Sequence, residues 1–329
     1  MKRVTVLIML LIVSIIQLNL SAEGVKENSP EPVAQTLTIQ VAGLKGPTSI
    51  GMLPLFQNRP DFAAGVQAEY QVVPEPQIML SRIMSGEVDI AAVPINLAAV
   101  LHNKGVPYRF GAVSGDGLLY IVTSRSDISS MEDLKGKTIY CIAQGSTPEF
   151  ILRYTLVQNG IDPEADVNID FTYDHVSITP QLVAGNVDLA VLPEPFVSIV
   201  AAKNPAVQPV IDLQKVWART SGTRTTYPIT AVLVKEELLR SNPEAVDAFF
   251  SVYADAIDWV IVHPKETGAL AEEFMDMPAG IIASAVPRLN LHFQLPAEAR
   301  PRVDELYRVL YSFAPASVGG RVPADEFYE

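Results

Sequence analysis

Two short stretches of this chain carry the residue types that grip a small ligand. Gly46-Pro47-Thr48-Ser49 and Gly145-Ser146-Thr147-Pro148 each combine a glycine, a proline and hydroxyl side chains, and each opens an apolar stretch of helical period. Backbone N–H groups at a helix N-terminus bind acceptor atoms, anionic ones above all. Glycine lets a ligand approach the backbone closely, and serine and threonine hydroxyls add hydrogen bonds of adjustable direction. The same residue types also cap helices, so one such stretch alone decides nothing. The two stretches are related, however: they share one offset of 99 residues (46 to 145, 48 to 147).

The offset recurs downstream. "RIMSGEVDIAAVP" at 82–94 and "QLVAGNVDLAVLP" at 181–193 follow one pattern at the same spacing of 99 residues (86 to 185, 89 to 188, 94 to 193). Asn96 and Glu194 follow the repeated prolines Pro94 and Pro193 and stand as further candidates for ligand contact, against the alternative of a solvated loop. Asp116, in Ser114-Gly115-Asp116-Gly117, and Tyr227 complete the candidate set; either could touch ligand or serve a hinge. The repeated Asp89 and Asp188 invite reading as a carboxylate pair, but each is better placed to brace its own glycine turn. Glu149 begins the second helical stretch and would stabilise that N-terminus. His102, His175, His263 and His292 are scattered without metal-ligand spacing. The lone cysteine, Cys141, lies in a strand-like run and reads as a buried structural thiol. With no nucleophile–base pair in view, we expect no catalytic residue, no metal and no cofactor.

The elements around these residues alternate. Each half reads strand, Gly/Ser/Thr/Pro loop, helix, strand, helix, Gly-x-Val-Asp, short apolar strand, proline loop. Such alternation predicts parallel sheet. Leu37–Val41 and Thr138–Ala143 are the strands before the loops, and Asn159-Gly160 marks a helix stop. Two further apolar strands, Leu118–Thr123 and Ile229–Val234, flank the second copy and read as crossings. Ser129–Leu134 reads as a short helix with a serine cap. From about residue 236 the chain reads as helical, with Ser241-Asn242-Pro243-Glu244 capping a long helix whose stripe is Ala245, Phe249, Tyr253, Ala256 and Val260. The fold class expected is therefore α/β: two similar mixed α/β lobes joined by two crossing strands. The expected boundaries are 36–120 for the first part of lobe I, 121–225 for lobe II, and 226–329 for the return strand and C-terminal helices. In such sheets ligands sit beyond the C-terminal strand ends, which places four loops on one cleft.

The chain has 329 residues and a formal net charge of -13. An acidic surface repels polyphosphate, so no nucleic-acid partner is expected. Lys2 and Arg3, the apolar run Val4–Leu18 and the small residues Ser21-Ala22 read as a secretory signal peptide over 1–22, with a flexible leader over 23–35; an uncleaved anchor is the alternative. No cysteine follows the signal, which excludes a lipid-modified N-terminus. The location expected is periplasmic or otherwise extracytoplasmic.

Hinged closure of two lobes on a small ligand is the mode of periplasmic binding proteins. The sequence resembles the type II solute-binding component of ABC importers, of the nitrate/sulfonate/taurine-like and thiamine-precursor-like group. The residues that carry the resemblance are "SGEVDIAAVP", "DLKGKTIYCIAQGSTPEFILRYTLVQNGIDP", "GNVDLAVLPEPF", "ITAVLVKEELLRSNPEAVDAFF" and "SVGGRVPADEFY", across nearly the whole chain past the signal. The resemblance implies a type II periplasmic-binding-protein fold and a small-molecule solute as ligand. It implies an ABC permease and its ATPase subunits as partners, with the binding protein a monomer. One stretch departs from the group: the usual Gly-Tyr-Phe then Glu-Gly-Leu start is replaced by "GMLPLFQNRPDFAAG", so the group's first-loop contacts do not transfer. Two other readings stay open. One is an enzyme on the same fold, of dehydratase, deaminase or pyrimidine-precursor synthase type; the other is a ligand-sensing receptor domain. The ligand is equally open between an oxyanion, a sulfonate, an amino acid and an amine-bearing pyrimidine.

Overall fold

The computed structural model describes residues 37–62, 65–142, 144–221 and 225–329. The segments expected to be signal peptide and leader, 1–22 and 23–35, lie outside the described residues. From Leu37 onward the chain forms one compact unit, in which two sheets of six and five strands stand.

The apolar run at 37–41 does form an extended segment, β1 (Leu37–Leu44). It takes parallel partners on both sides, β2 (Val66–Val73) and β3 (Ile90–Pro94). Parallel neighbours need crossovers; two short helices, α1 (Pro47–Ile50) and α2 (Leu53–Asn58), provide the first and α3 (Pro76–Met84) the second. After α4 (Ile95–Asn103) comes β4 (Tyr108–Asp116), whose C-terminal end leads out of this sheet. The second sheet repeats the plan. β6 (Thr138–Cys141) lies parallel to β7 (Asn168–Asp170) and β8 (Leu189–Pro193), with α5 (Thr147–Gln158) and α6 (His175–Ala184) as crossovers. β5 (Leu119–Thr123) runs antiparallel to β8 and to β9 (Gln208–Asp212). Helices α7 (Phe196–Lys203) and α8 (Leu213–Thr220) follow β8 and β9. The chain then returns through β10 (Pro228–Lys235), which inserts antiparallel between β3 and β4. This is the two-sheet α/β arrangement that the repeat predicts.

The C-terminal part is mostly helical: α9 (Glu236–Ser241), α10 (Pro243–Val262), α11 (Pro264–Met275), α12 (Ala279–Ala285) and α13 (Pro296–Phe313). All five residues of the stripe expected on α10 are buried. Three details differ from expectation. A strand, β11 (Leu291–Gln294), interrupts the helices and closes the edge of the first sheet on β4; four residues give too short a run for period-2 alternation to declare itself. Asn242 occupies the N-cap of α10 but makes no side-chain cap; its amide donates instead to Ser241 Oγ at 2.8 Å. The serines before the Glu132–Leu134 3₁₀ turn do not accept from it. They donate instead, Ser129 N at 3.0 Å and Ser130 N at 2.9 Å, to the Asp133 carboxylate.

The Gly-x-Val-Asp units are braces, as expected. Gly86 and Gly185 both take the left-handed backbone, at φ 74 and 77, which favours glycine. Asp89 accepts from Gln40 N at 2.9 Å and pairs with Lys235 at 3.5 Å. Asp188 pairs with Arg125 at 3.1 Å. Each carboxylate is engaged beside its own sheet, and no dyad forms between them. Cys141 is buried, and burial pushes its thiol up, which leaves it a packing residue. Among the described residues no helix is long and apolar enough to cross a membrane.

Candidate functional site

The C-terminal ends of β1, β3 and β4 in the first sheet, and of β6 and β8 in the second, bring the repeated loops to one region. The clearest contact is between jaws. Thr147 Oγ1, at the first position of α5, donates to Asn96 Oδ1 on α4 at 3.0 Å, and both side chains are buried. The two loop families that sequence pairs by an offset of 99 (48 to 147) thus meet at one hydrogen bond across the two sheets, though through Asn96 rather than Thr48.

The first loop is turned inward. Gly46 sits at φ 117, where an L side chain is strained, and Pro47 starts α1. Thr48 Oγ1 and Ser49 Oγ both donate to Leu44 O, at 2.8 and 2.6 Å. Their hydroxyl protons therefore close the end of β1, and Ser49 is fully buried there against Gly43. On the second loop Gly145, at φ 76, donates its N–H to Glu149 Oε2 at 2.7 Å, and Glu149 also pairs with Arg153 at 2.7 Å. Glu149 thus stabilises the N-terminus of α5, as its position implies. Ser146 is the N-cap and Pro148 lies in the first turn. Neither loop has a side-chain cap on its helix, so capping is not what these hydroxyls do.

Pro94 and Pro193 end β3 and β8 as equivalent positions. Beyond them, Asn96 meets Thr147, whereas Glu194 is fully buried and its Oε1 accepts from Arg288 Nε at 2.5 Å. Glu194 Oε2 accepts from Ser198 N at 3.1 Å. Asp116, at the end of β4, is paired with Arg302 and lies 3.5 Å from His292 Nε2. Burial pushes the Asp116 carboxyl up, and the His292 and Arg302 charges pull against it.

Tyr227 lies at the return passage between the two sheets, just before β10. Its hydroxyl donates to Gln214 Oε1 at 2.8 Å, and the same oxygen accepts from Leu119 N at 2.8 Å. Gly117 N donates to Tyr227 O at 2.8 Å, tying the two passages between the sheets to one another. Asn290 Nδ2 donates to Gly117 O at 2.5 Å. Arg288, Asn290 and Arg302, which sequence reasoning passes over, and His292, which it sets aside as a metal ligand, therefore sit around the crossings. Their signal is compositional: 288–302 gathers three arginines and a histidine in an acidic chain.

A cavity of about 350 Å3 opens at the opposite end of the first sheet, between His102, Arg109, Glu236, Arg321 and Glu326. None of these residues comes from the repeated loops. Burial, then Arg109 and Arg321, hold the His102 imidazole below its usual value. Among the described residues no group of three or more His, Cys, Asp and Glu is placed to hold a metal ion.

The Asn96–Thr147 bond gives a first prediction. Thr147→Val keeps shape and removes the donor, leaving Asn96 Oδ1 buried and short of a partner. The expected loss is about 1–2 kcal/mol, read as a lowered denaturation midpoint at unchanged slope; an unchanged midpoint would show that the jaws do not meet in solution.

Two sheets of matching plan, joined by two crossings and facing each other through repeated loops, define the two-lobed binding-protein class. The chain belongs to a particular family of that class: the model described as ABC transporter, phosphonate, periplasmic substrate-binding protein matches residues 61–256. The chain is 24% identical over 215 residues to the binding protein YtlA of Bacillus subtilis, across 64% of this chain. That match spans 62% of YtlA, less than two thirds of its length. Among solved structures, an ABC transporter protein from Parabacteroides distasonis is 25% identical with a TM-score of 0.78, over 89% of this chain and 99% of that one. The periplasmic aliphatic sulphonate binding protein SsuA from Escherichia coli shares the fold, with a TM-score of 0.69 at 18% identity, over 88% and 97% of the two chains.

Proposed function

We propose that the protein is the extracytoplasmic solute-binding component of an ABC importer. It captures a small solute between lobe I (36–120 and 226–329) and lobe II (121–225) by hinged closure, and delivers it as a monomer to a membrane permease served by ATPase subunits. It carries out no reaction of its own. The observation that carries the reading is the meeting of the repeated loops through Asn96 and Thr147, above crossings joined at Gly117 and Tyr227. Closure about paired crossings is how a clam-like binder buries a ligand.

Among solutes we favour an oxyanion of the phosphonate or sulfonate kind. The family's description supports it, as do the helix N-termini at Pro47 and Thr147, whose position suits an acceptor-rich ligand. The amine-bearing pyrimidine is disfavoured because Glu149 and Tyr227 are already engaged by Arg153 and Gln214.

The test is a thermal-shift and calorimetric screen against methylphosphonate, ethanesulfonate, phosphate, nitrate and an aminopyrimidine. A true solute at a hundred times its Kd stabilises by about 2.7 kcal/mol. An aminopyrimidine shift without an anion shift would replace the oxyanion class. No shift and no heat from any of the five would remove support for solute capture of either class.

A further inference from the structure

We propose that Arg288 is a latch, holding the cleft closed on Glu194 before any solute arrives, so that capture requires this pair to part. The proposal goes beyond the binding function and does not need the solute to be known.

The geometry is a two-point grip across the sheets. Arg288 ends the 3₁₀ turn Val286–Arg288, which leads into β11 of the first sheet. Glu194 and Ser198 follow β8 of the second. Arg288 Nε donates to Glu194 Oε1 at 2.5 Å and Arg288 Nη2 to Ser198 Oγ at 2.6 Å. Charge-assisted bonds made in parallel by a planar guanidinium are strong and directional. The carboxylate has 0% exposed side chain while the guanidinium side chain keeps 44%. Among the described residues Arg288 is the cation paired with Glu194, so the buried acid depends on the opposite sheet for its countercharge.

Both ends of the latch are firmly mounted. Asn290, two residues on from Arg288, accepts from Asp116 N at 3.0 Å through its carbonyl and donates to Gly117 O. Glu194 N donates to Leu118 O at 2.9 Å. The arginine and its acceptor are thus each fixed close to the crossing at Gly117–Leu118. Opening about that crossing must therefore carry the arginine and the carboxylate apart with their own sheets. The contacts across the sheets also satisfy one another: Glu194 has Arg288 as its cation and Asn96 has Thr147 as its donor. A ligand-free protein biased to a closed form binds with an apparent affinity reduced by the fraction that is open.

Spin-label distances in the ligand-free protein decide the matter. Labels at Glu75→Cys and Thr172→Cys sit at exposed positions just past β2 and β7, and buried Cys141 stays unlabelled. The parent should give one dominant short distance. Arg288→Gln should add a longer one, with the closed-to-open ratio falling about tenfold, and Arg288→Lys should fall between. Ser198→Ala keeps Glu194 paired and should shift the same ratio a few-fold; it decides the question if Arg288→Gln does not fold. A parent that is already open without solute, or variants whose distances match the parent's, would overturn the latch. No solute is present in this experiment, so its outcome is separate from the solute screen.

Discussion

Gly117→Ala should lower the melting temperature by up to about 12 °C and disturb the passage between the sheets. A Cβ on Gly117 would lie 2.4 Å from Cζ of the Tyr227 ring and 2.6 and 2.9 Å from its Cε atoms. Real Cβ atoms do not come that close, and the neighbour is a rigid, fully buried ring that cannot swing aside. The ring is held by its hydroxyl on Gln214 and by the Trp217 ring at 5.2 Å. Overpacking of this kind costs up to about 3 kcal/mol, and a protein of a few hundred residues loses about 2–4 °C per kcal/mol. The physical cause is checked by a double variant. Gly117→Ala with Tyr227→Leu removes the ring and should recover part of the loss, a positive coupling of the kind contacting residues show. If the two substitutions simply add, the close approach of the crossings is not the cause.

The repeat was the most legible feature of the sequence. The Gly-x-Val-Asp units and their loops announce two sheets of like plan because glycine at φ 74 and 77 and a bracing aspartate are local requirements, written in adjacent residues. The stripe on α10 was legible for the same reason, since its burial follows from a period within one helix. The site was legible only in outline. Thr48 and Ser49 carry the right chemistry, yet their protons go to Leu44 O, a choice fixed by the backbone turn at Gly46 rather than by residue type. Asn96 and Thr147 were visible as candidates but not as partners, because 51 positions separate them. Arg288, His292 and Arg302 arrive from the C-terminal segment, after a chain path that no pattern of spacing encodes. Their partners Glu194 and Asp116 were both singled out, and it is the countercharge that sequence reading missed. Buried carboxylates require a cation or several donors, so each such acid is a standing question about which distant segment answers it.

Aromatic packing answers the same question for the apolar side of the hinge, and it carries the second large effect. Trp217, on α8 of the second lobe, has 2% exposure. Its ring lies 4.6 Å from that of Tyr154 on α5 and 5.2 Å from that of Tyr227, and Tyr154 in turn meets Phe313 of α13 at 6.0 Å. This row of rings joins a crossing to the last helix through the body of the second sheet's helices. Trp217→Ala should therefore cost about 3–5 kcal/mol, as deletion of a large buried aromatic does, and should loosen the crossing as well as the lobe. Urea unfolding measures the first effect, and hydrogen exchange at residues 117–119 and 226–227 measures the second. Trp259→Phe should cost much less, because Trp259 is only partly buried and stacks on His263 at the end of α10. That variant leaves Trp217 as the single tryptophan, since the chain has two. Its emission then reports directly on the hinge: opening the latch by Arg288→Gln in this background should change it. A loss below about 1 kcal/mol in Trp217→Ala would mean that the site collapses readily on removal of the ring, and that the crossing is held by its backbone bonds alone.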